Sequence, residues 1–360
     1  MKTIAVVGAS LAGLRSVQAL RSQGFDGRIV VIGDEIHPPY DRPPLSKDFL
    51  LGKTDMVTLA DREELAELDA DWRMGVRASA LRSGEIELEN GGVVAADGVV
   101  IATGAVPRTI PDTLTLRTVD DAHKLRDKLT PGARVVVIGA GFIGAEVASS
   151  CRQLGLDVTV VEALPAPLSR VLGDEMGTAC GGLHGDHGTK LLCGVGVAEV
   201  NHVVKLNDGR SLEADVVIAG IGTQPATGWL AGSPVEVDNG VVCDAGGVTG
   251  IPQVVAVGDV ARYDGVRAEH WTSATEQAGV AIKNLLAGNT VATHRATGYV
   301  WSDQYGVRIQ FAGRASGDVR VADGSIADRK FVATYHEDDR MVGVLAMSSA
   351  RLFTRLRREL

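Results

Sequence analysis

The chain has 360 residues, 45% of them hydrophobic, and a formal net charge of −9. That length reads as two or three domains, that apolar content excludes a disordered chain, and that charge argues against general nucleic-acid binding. No apolar run reaches the roughly 18 residues that cross a bilayer. The opening "MKTIAVVGAS" passes straight into a strand pattern without a signal-peptide design. Cys151, Cys180, Cys193 and Cys243 form no CxxC pair, so no zinc ribbon or dithiol motif is present. Reduced thiols in a cytoplasmic protein are the expectation.

The first element is "KTIAVVG", a short β-branched run. "AGLRSVQALRS" then has apolar residues at helical spacing, and "GRIVVIGDE" returns to strand. This is a β-α-β unit whose tight turn places Gly8, Ser10 and Gly13 at the three glycine positions of a dinucleotide fingerprint. Ser10 sets a hydroxymethyl group where pyrophosphate approaches. Serine is small and can donate a hydrogen bond, so the substitution need not abolish binding. Asp34 ends the following strand at the ribose position, and Glu35 beside it is the alternative. "VVIATGAVP" (Val99 to Pro107) adds another strand and turn.

A second unit of the same design follows. "ARVVVIG" is a strand, "AGFIGAEVASSCRQLG" a helix closed by Gly155, and "LDVTVVE" a strand. Gly139, Gly141 and Gly144 stand in full register. The first permits the tight turn, the second clears the approach of pyrophosphate, and the third lets helix and strand pack closely. Pyrophosphate is expected on the helix N-terminus, where free N–H groups and the dipole favour negative charge. Glu162 ends the next strand, where a carboxylate accepts from a ribose 2′-OH and repels a 2′-phosphate. This favours NADH over NADPH, although Arg170 could complicate the preference.

His184 and His187, with Cys180 and Cys193 nearby, make an H-x-x-H spacing that completes no ligand set, so no metal is expected. "IPQVVAVGDV" (Ile251 to Val260) is a strand and turn, and "HWTSATEQ" opens a helix. Past Gly298, "YVWSDQYGVRIQFAG", "FVATYHE" and "MVGVLAM" alternate as antiparallel strands, and "RLFTRLRREL" reads as a helix. Its arginines, Arg351, Arg355, Arg357 and Arg358, are either a solvated face or an attraction for an acidic partner.

Five segments occur in order: "PPYDRPPLSK" (Pro38 to Lys47), "ATG" (Ala102 to Gly104), "AVGDVA" (Ala256 to Ala261), "EHWTSATEQ" (Glu269 to Gln277) and "WSDQYGVRIQFAG" (Trp301 to Gly313). With the two glycine loops they resemble the putidaredoxin-reductase-like family of FAD- and NADH-dependent ferredoxin reductases. The likeness runs from Ile4 to about Gly313 and more weakly beyond. It implies an α/β fold with two Rossmann-like dinucleotide-binding domains, glutathione-reductase-like, and a C-terminal α+β domain with an antiparallel sheet. The implied domains are 1–108 with 230–299 for FAD, 109–229 for NADH, and 300–360 at the C-terminus.

By the same resemblance, Gly8, Ser10, Ala12, Gly13 and Asp34 or Glu35 bind the ADP half of FAD, with the Ala78 backbone at the adenine. Arg42 and Lys47 reach the flavin and its phosphates, and Arg117 is a further FAD contact. Ala102, Thr103 and Gly104 mark the exit from the FAD domain. Asp259 bonds the ribityl chain, while His270 and the Trp271 backbone meet the isoalloxazine. Gly139, Gly141, Phe142, Ile143, Gly144, Glu146, Glu162, Arg170 and Gly222 are assigned to NADH. Lys47 and Glu146 are expected as an ion pair beside flavin N5, with Glu146 on the first turn of the NADH-binding helix and Trp301 lying against the flavin.

No cysteine precedes Cys151, so the redox thiols that related disulfide reductases carry early in the FAD domain are missing. Electrons therefore leave the flavin for an external acceptor. The implied activity is hydride transfer from NADH to FAD, then two single-electron transfers to an acidic [2Fe–2S] ferredoxin that feeds a cytochrome P450 or Rieske oxygenase. The enzyme is expected as a monomer or homodimer, without nucleic acid or membrane. Alternatives are a reductase for rubredoxin, a quinone or a small molecule, or a flavoprotein of the apoptosis-inducing-factor type.

Overall fold

Strand Thr3–Val7 is buried on both faces: Ala5 and Val7 join one apolar cluster, Ile4 and Val6 another. Alternate side chains of a strand point to opposite faces, so a strand of continuous apolar residues belongs inside a sheet covered on both sides. It is the centre of a five-stranded parallel sheet in the order Val254–Ala256, Gly98–Ile101, Thr3–Val7, Arg28–Ile32, Ala70–Arg73. Helices Leu11–Ser22 and Trp271–Ala287 contribute Val17, Leu20, Ala281, Ile282 and Leu285 to one face. The antiparallel sheet Ala78–Arg82, Glu85–Leu88, Val93–Ala95 contributes Leu81, Ile86, Leu88 and Val94 to the other.

The computed structural model describes residues 1–201, 203–295 and 298–360. The chain divides into two units. Met1–Asp41, Val57–Val106 and Gln224–Ala296 form the first; Arg42–Met56, Pro107–Thr223 and Thr297–Leu360 form the second.

The second unit repeats the parallel design with strands Lys190–Cys193, Asp157–Glu162, Arg134–Ile138 and Val216–Ala219. Helix Phe142–Gln153 packs Val147, Ala148 and Cys151 onto it. The stretch Arg42–Met56 belongs here through Leu50, which lies in the same core, and Phe49, which meets the His123 ring edge-on at 4.9 Å under the Arg126 guanidinium.

The C-terminal strands form a five-stranded antiparallel sheet, Val300–Gln304, Val307–Gly313, Arg340–Met347, Lys330–Glu337, Asp318–Ser325. Helix Ala350–Leu356 covers one face through Phe353. Helix Ser169–Asp186 covers the other through Leu172, Met176, Ala179, Cys180 and Leu183. This packing joins the C-terminal sheet to the Pro107–Thr223 part in one unit, where the sequence suggests a separate domain from residue 300.

Helix Ser169–Asp186 gives a poor sequence signal because glycine disfavours helix. Its glycines serve close approach. A Cβ on Gly177 would lie 2.2 Å from the Pro167 carbonyl oxygen, and one on Gly182 would lie 2.1 Å from the Arg329 guanidinium. At Gly173 (φ 73°) the helix is kinked.

The hairpin between Gln304 and Val307 turns through Tyr305 (φ 53°) and Gly306 (φ 78°), the two left-handed residues of a tight two-residue loop. The Tyr305 hydroxyl lies 2.8 Å from His184 Nδ1 and 2.9 Å from Thr189 Oγ1, and His187 stacks on its ring. His184 and His187 are thus spent on Tyr305. Among the described residues no cluster of three or more His, Cys, Asp or Glu stands ready for a metal ion. No described helix is long and apolar enough to cross a membrane.

Burial at 1% exposure lowers the His184 imidazole from 6.5 to about 4. Protons therefore bind preferentially to the unfolded chain, and stability falls as pH drops from about 6.5 towards 4, by up to roughly 3 kcal/mol at full effect. Urea unfolding at pH 7 and pH 5 measures this, and His184→Gln removes that share of the acid sensitivity.

Candidate functional site

The first unit ends its central strand at a phosphate-type loop. Gly8 has φ 113°, and a Cβ there would lie 2.1 Å from the Ala102 carbonyl oxygen; a Cβ on Gly13 would lie 1.8 Å from the Gly8 oxygen. Both glycines are therefore demanded by backbone packing. Ser10 is the extended N-cap of helix Leu11–Ser22, its hydroxyl does not cap the helix, and no acidic residue stands in the first turn. The helix dipole thus meets an anion unopposed by a carboxylate. Strand order reverses about this central strand, the usual place for a nucleotide. These features fit FAD diphosphate.

Around that loop, Ala102 N–H donates to Val7 O at 2.7 Å, and Thr103 Oγ1 donates to Ala226 O at 2.9 Å. Gly104 has φ 69°. Of the two ribose candidates, Asp34 is exposed and paired with exposed Arg77 at 3.3 Å. Glu35 is half-buried and accepts the Tyr40 hydroxyl at 2.5 Å. Ala78 is buried at the start of its strand, and Ala12 packs under Gly258, whose Cβ would lie 3.0 Å from that of Ala12.

Asp259 sits in the short turn Gly258–Val260, which buried Gln277 holds by accepting from Gly258 N–H at 2.8 Å. His270 caps helix Trp271–Ala287 and its imidazole is lowered by burial, against the opposing charges of Asp259 and Glu269. Its Nδ1 is buried without a hydrogen-bond partner. Trp271 opens the helix, and its indole N–H donates to Asp41 Oδ1 at 2.8 Å.

The second unit carries the other cradle. A Cβ on Gly139 (φ 98°) would lie 2.4 Å from the Gly220 oxygen, and one on Gly144 would lie 2.1 Å from the Gly139 oxygen. Nothing lies within 4 Å of the corresponding position on Gly141. The middle glycine alone faces open space, as pyrophosphate approach requires. Gly222 (φ 92°) is likewise open, Ile143 is 48% exposed, and Phe142 is half-buried against the C-terminal sheet cluster. Glu162 already braces this loop, accepting Ala140 N–H at 2.7 Å and Leu164 N–H at 2.9 Å. Each carboxylate oxygen keeps acceptor capacity for a ribose hydroxyl. Arg170 is exposed on the first turn of its helix.

Arg42, Lys47 and Arg117 also lie in the second unit. Arg42 donates to the Arg117 carbonyl at 2.5 Å. Arg117 is fixed by the capping box of helix Val119–Lys128, in which Asp121 accepts from the backbone of both Arg117 and Thr118. The Thr118-to-Asp121 spacing is the signal that could have found this helix.

Lys47 pairs with Glu146 at 2.6 Å. Glu146 is 3% exposed and is the fifth residue of its helix, just past the first turn where the sequence placed it. Its carboxylate also accepts Ser46 Oγ at 2.5 Å and Ser302 Oγ at 2.7 Å. Neither serine was singled out in the sequence; an isolated hydroxyl carries no periodic signal. Trp301, beside Ser302, stacks on Tyr299 with ring centroids 5.8 Å apart, and Arg357 lies over Tyr299 at 4.0 Å. Cys151, Cys180 and Cys243 are buried, each pushed up to about 12 chiefly by burial.

A family model described as pyridine nucleotide-disulphide oxidoreductase matches residues 2–278, and one described as reductase C-terminal matches 299–360. The chain is 35% identical to the ferredoxin–NAD(+) reductase subunit of a benzene 1,2-dioxygenase system from Pseudomonas putida, covering 97% of this chain and 90% of that protein. It is 34% identical to rhodocoxin reductase from Rhodococcus erythropolis, over 97% and 87%. Among solved structures, the covalent putidaredoxin reductase–putidaredoxin complex superposes with a TM-score of 0.93 at 30% identity, over 99% of this chain and 92% of that one.

The two later glycines of the second cradle separate stability from binding. Gly144→Ala drives a methyl into the Gly139 carbonyl and lowers unfolding stability by about 1–3 kcal/mol. Gly141→Ala leaves urea stability within about 0.5 kcal/mol but weakens NADH binding, read by titration of the holoenzyme.

Proposed function

We infer the function of this chain from its membership: it belongs to the pyridine nucleotide-disulphide oxidoreductase family. It is an FAD-dependent NADH:ferredoxin reductase of an oxygenase system. The observation that carries this reading is the pair of glycine cradles at the ends of two parallel sheets, with no cysteine before Cys151. Bound FAD takes two electrons from NADH as a hydride and passes them on singly.

The chain's own residues bind, orient and balance charge. We assign Gly8, Ser10, Ala12, Gly13, Glu35 or Asp34, Ala78, Ala102, Thr103, Gly104, Asp259, His270 and Trp271, with Arg42, Lys47 and Arg117, to FAD. Glu35 is the better ribose candidate, because its half-buried carboxylate is held by Tyr40 while Asp34 stands in solvent. The N-terminus of helix Trp271–Ala287 supplies positive potential for a reduced flavin. Glu146 holds Lys47 in place, so their role is positional and electrostatic rather than acid–base. Gly139, Gly141, Phe142, Ile143, Gly144, Glu162, Arg170 and Gly222 form the NADH side, with Glu162 favouring NADH over NADPH.

Four finer assignments complete the proposal. The proposed domains are 1–108 with 230–299 for FAD, 109–229 for NADH, and 300–360 as the C-terminal domain. The partner is an acidic [2Fe–2S] ferredoxin, supported by exposed Arg351, Arg355 and Arg358 on the C-terminal helix and the turn after it. The setting is the cytoplasm, and Trp301 lies against the flavin.

Anaerobic NADH titration should bleach the yellow holoenzyme, and added ferredoxin should restore the colour. Trp301→Ala leaves flavin reduction by NADH within about twofold while slowing ferredoxin reduction about tenfold. A quinone or rubredoxin that reoxidises the flavin faster than any ferredoxin would replace the acceptor named here.

A further inference from the structure

Glu146 is held from several directions. Ser46 and Lys47 donate to Oε2, at 2.5 Å and 2.6 Å. The other oxygen, Oε1, accepts from Ser302 at 2.7 Å, and no other described side chain donates to it. Ser302 is fully buried on strand Val300–Gln304, next to Trp301, and alternation sends these neighbours to opposite faces of the strand. Its one hydroxyl proton goes to Glu146, and its oxygen accepts from the buried Gln304 amide at 3.1 Å. The donor direction is therefore fixed at both ends.

We propose that Ser302, steadied by Gln304, is a positioning residue for Glu146: it orients the carboxylate that holds Lys47, and so couples the Trp301 strand to the hydride-transfer residues. This rests on the reading above that Lys47 and Glu146 serve flavin reduction. A carboxylate whose second oxygen has lost its donor can rotate about its side chain, and Lys47 moves with it. Hydride transfer depends on near-contact geometry, so a small displacement is costly. Docking of the strand does not depend on this hydroxyl alone. Tyr305 N–H donates to Ser149 at 2.7 Å, and Ile309 and Phe311 lie in the core beneath helix Ser169–Asp186.

The test uses holoenzyme of Ser302→Ala, Ser302→Thr, Glu146→Gln and the Ser302→Ala/Glu146→Gln double variant. Anaerobic stopped-flow mixing separates the limiting rate of flavin reduction from the Kd for NADH, and equilibration with a reference dye gives the midpoint potential of the bound flavin. Ser302→Ala is expected to lower the limiting rate about tenfold with Kd within about twofold, and to lower the midpoint potential. Ser302→Thr, which keeps the hydroxyl, stays within about twofold of the parent, and Ser302→Ala adds nothing to Glu146→Gln. The proposal falls if Ser302→Ala keeps the parent rate and potential while Glu146→Gln is slow. It also falls if the tenfold loss recurs undiminished in the Glu146→Gln background, because Ser302 then acts elsewhere. If Glu146→Gln is as fast as the parent, the underlying role of Glu146 fails and takes this inference with it. Should Ser302→Ala not fold, Ser302→Cys, a weaker donor of similar size, replaces it; a parent-like rate and potential there overturns the proposal.

Discussion

The buried negative charge of Glu146 organises the second unit. A carboxylate at 3% exposure is tolerable only when it is paired and hydrogen-bonded. This one gathers Lys47 and Ser46 from the proline-rich segment and Ser302 from the C-terminal strand onto the helix that opens at the nucleotide loop. Three stretches distant in sequence converge on one side chain. Removing Lys47 leaves the Glu146 charge buried without its cationic partner, which is destabilising. The same interaction therefore joins the fold to the pair proposed for flavin reduction.

The two glycine cradles show how a backbone can be selected by what must not be there. At Gly8, Gly13, Gly139 and Gly144 a side chain would strike a carbonyl oxygen of the fold itself. At Gly141 it would strike nothing that belongs to the protein. Glycines that the packing demands and a glycine that it leaves open are thus separable within one six-residue motif. Ser10, at the equivalent place in the first cradle, keeps a side chain without loss of the extended cap conformation.

Both cradles were legible because a strand, a glycine turn and an amphipathic helix each carry their own local period. The Lys47–Glu146 pair was legible through family resemblance, and the geometry brings the two together. Other features were not legible because their cause is nonlocal. Ser302 lies 156 residues from Glu146, and Gln277 reaches 19 residues back to hold the turn bearing Asp259. Helix Ser169–Asp186 was hidden by glycines that tertiary contact, not helix propensity, explains. Edge strand Asp318–Ser325 is largely exposed, and Val319 and Val321 are too brief an alternation to mark it. Helix Val119–Lys128 is different: its capping box, Thr118 with Asp121, is a local signal that the sequence itself carries.

The cysteines carry a practical corollary. Cys151, Cys180 and Cys243 stay protonated and out of solvent at neutral pH, while Cys193 alone is exposed. Thiol-directed reagents select accessible sulfur, so a fluorophore would attach at one place without mutagenesis. Cys193 is the backbone neighbour of Glu162 across paired strands, and partial burial, then Glu162, raise its thiol. A dye anchored there, under mildly alkaline labelling, would sit beside the loop proposed for the dinucleotide and make the wild-type chain its own optical reporter of occupancy.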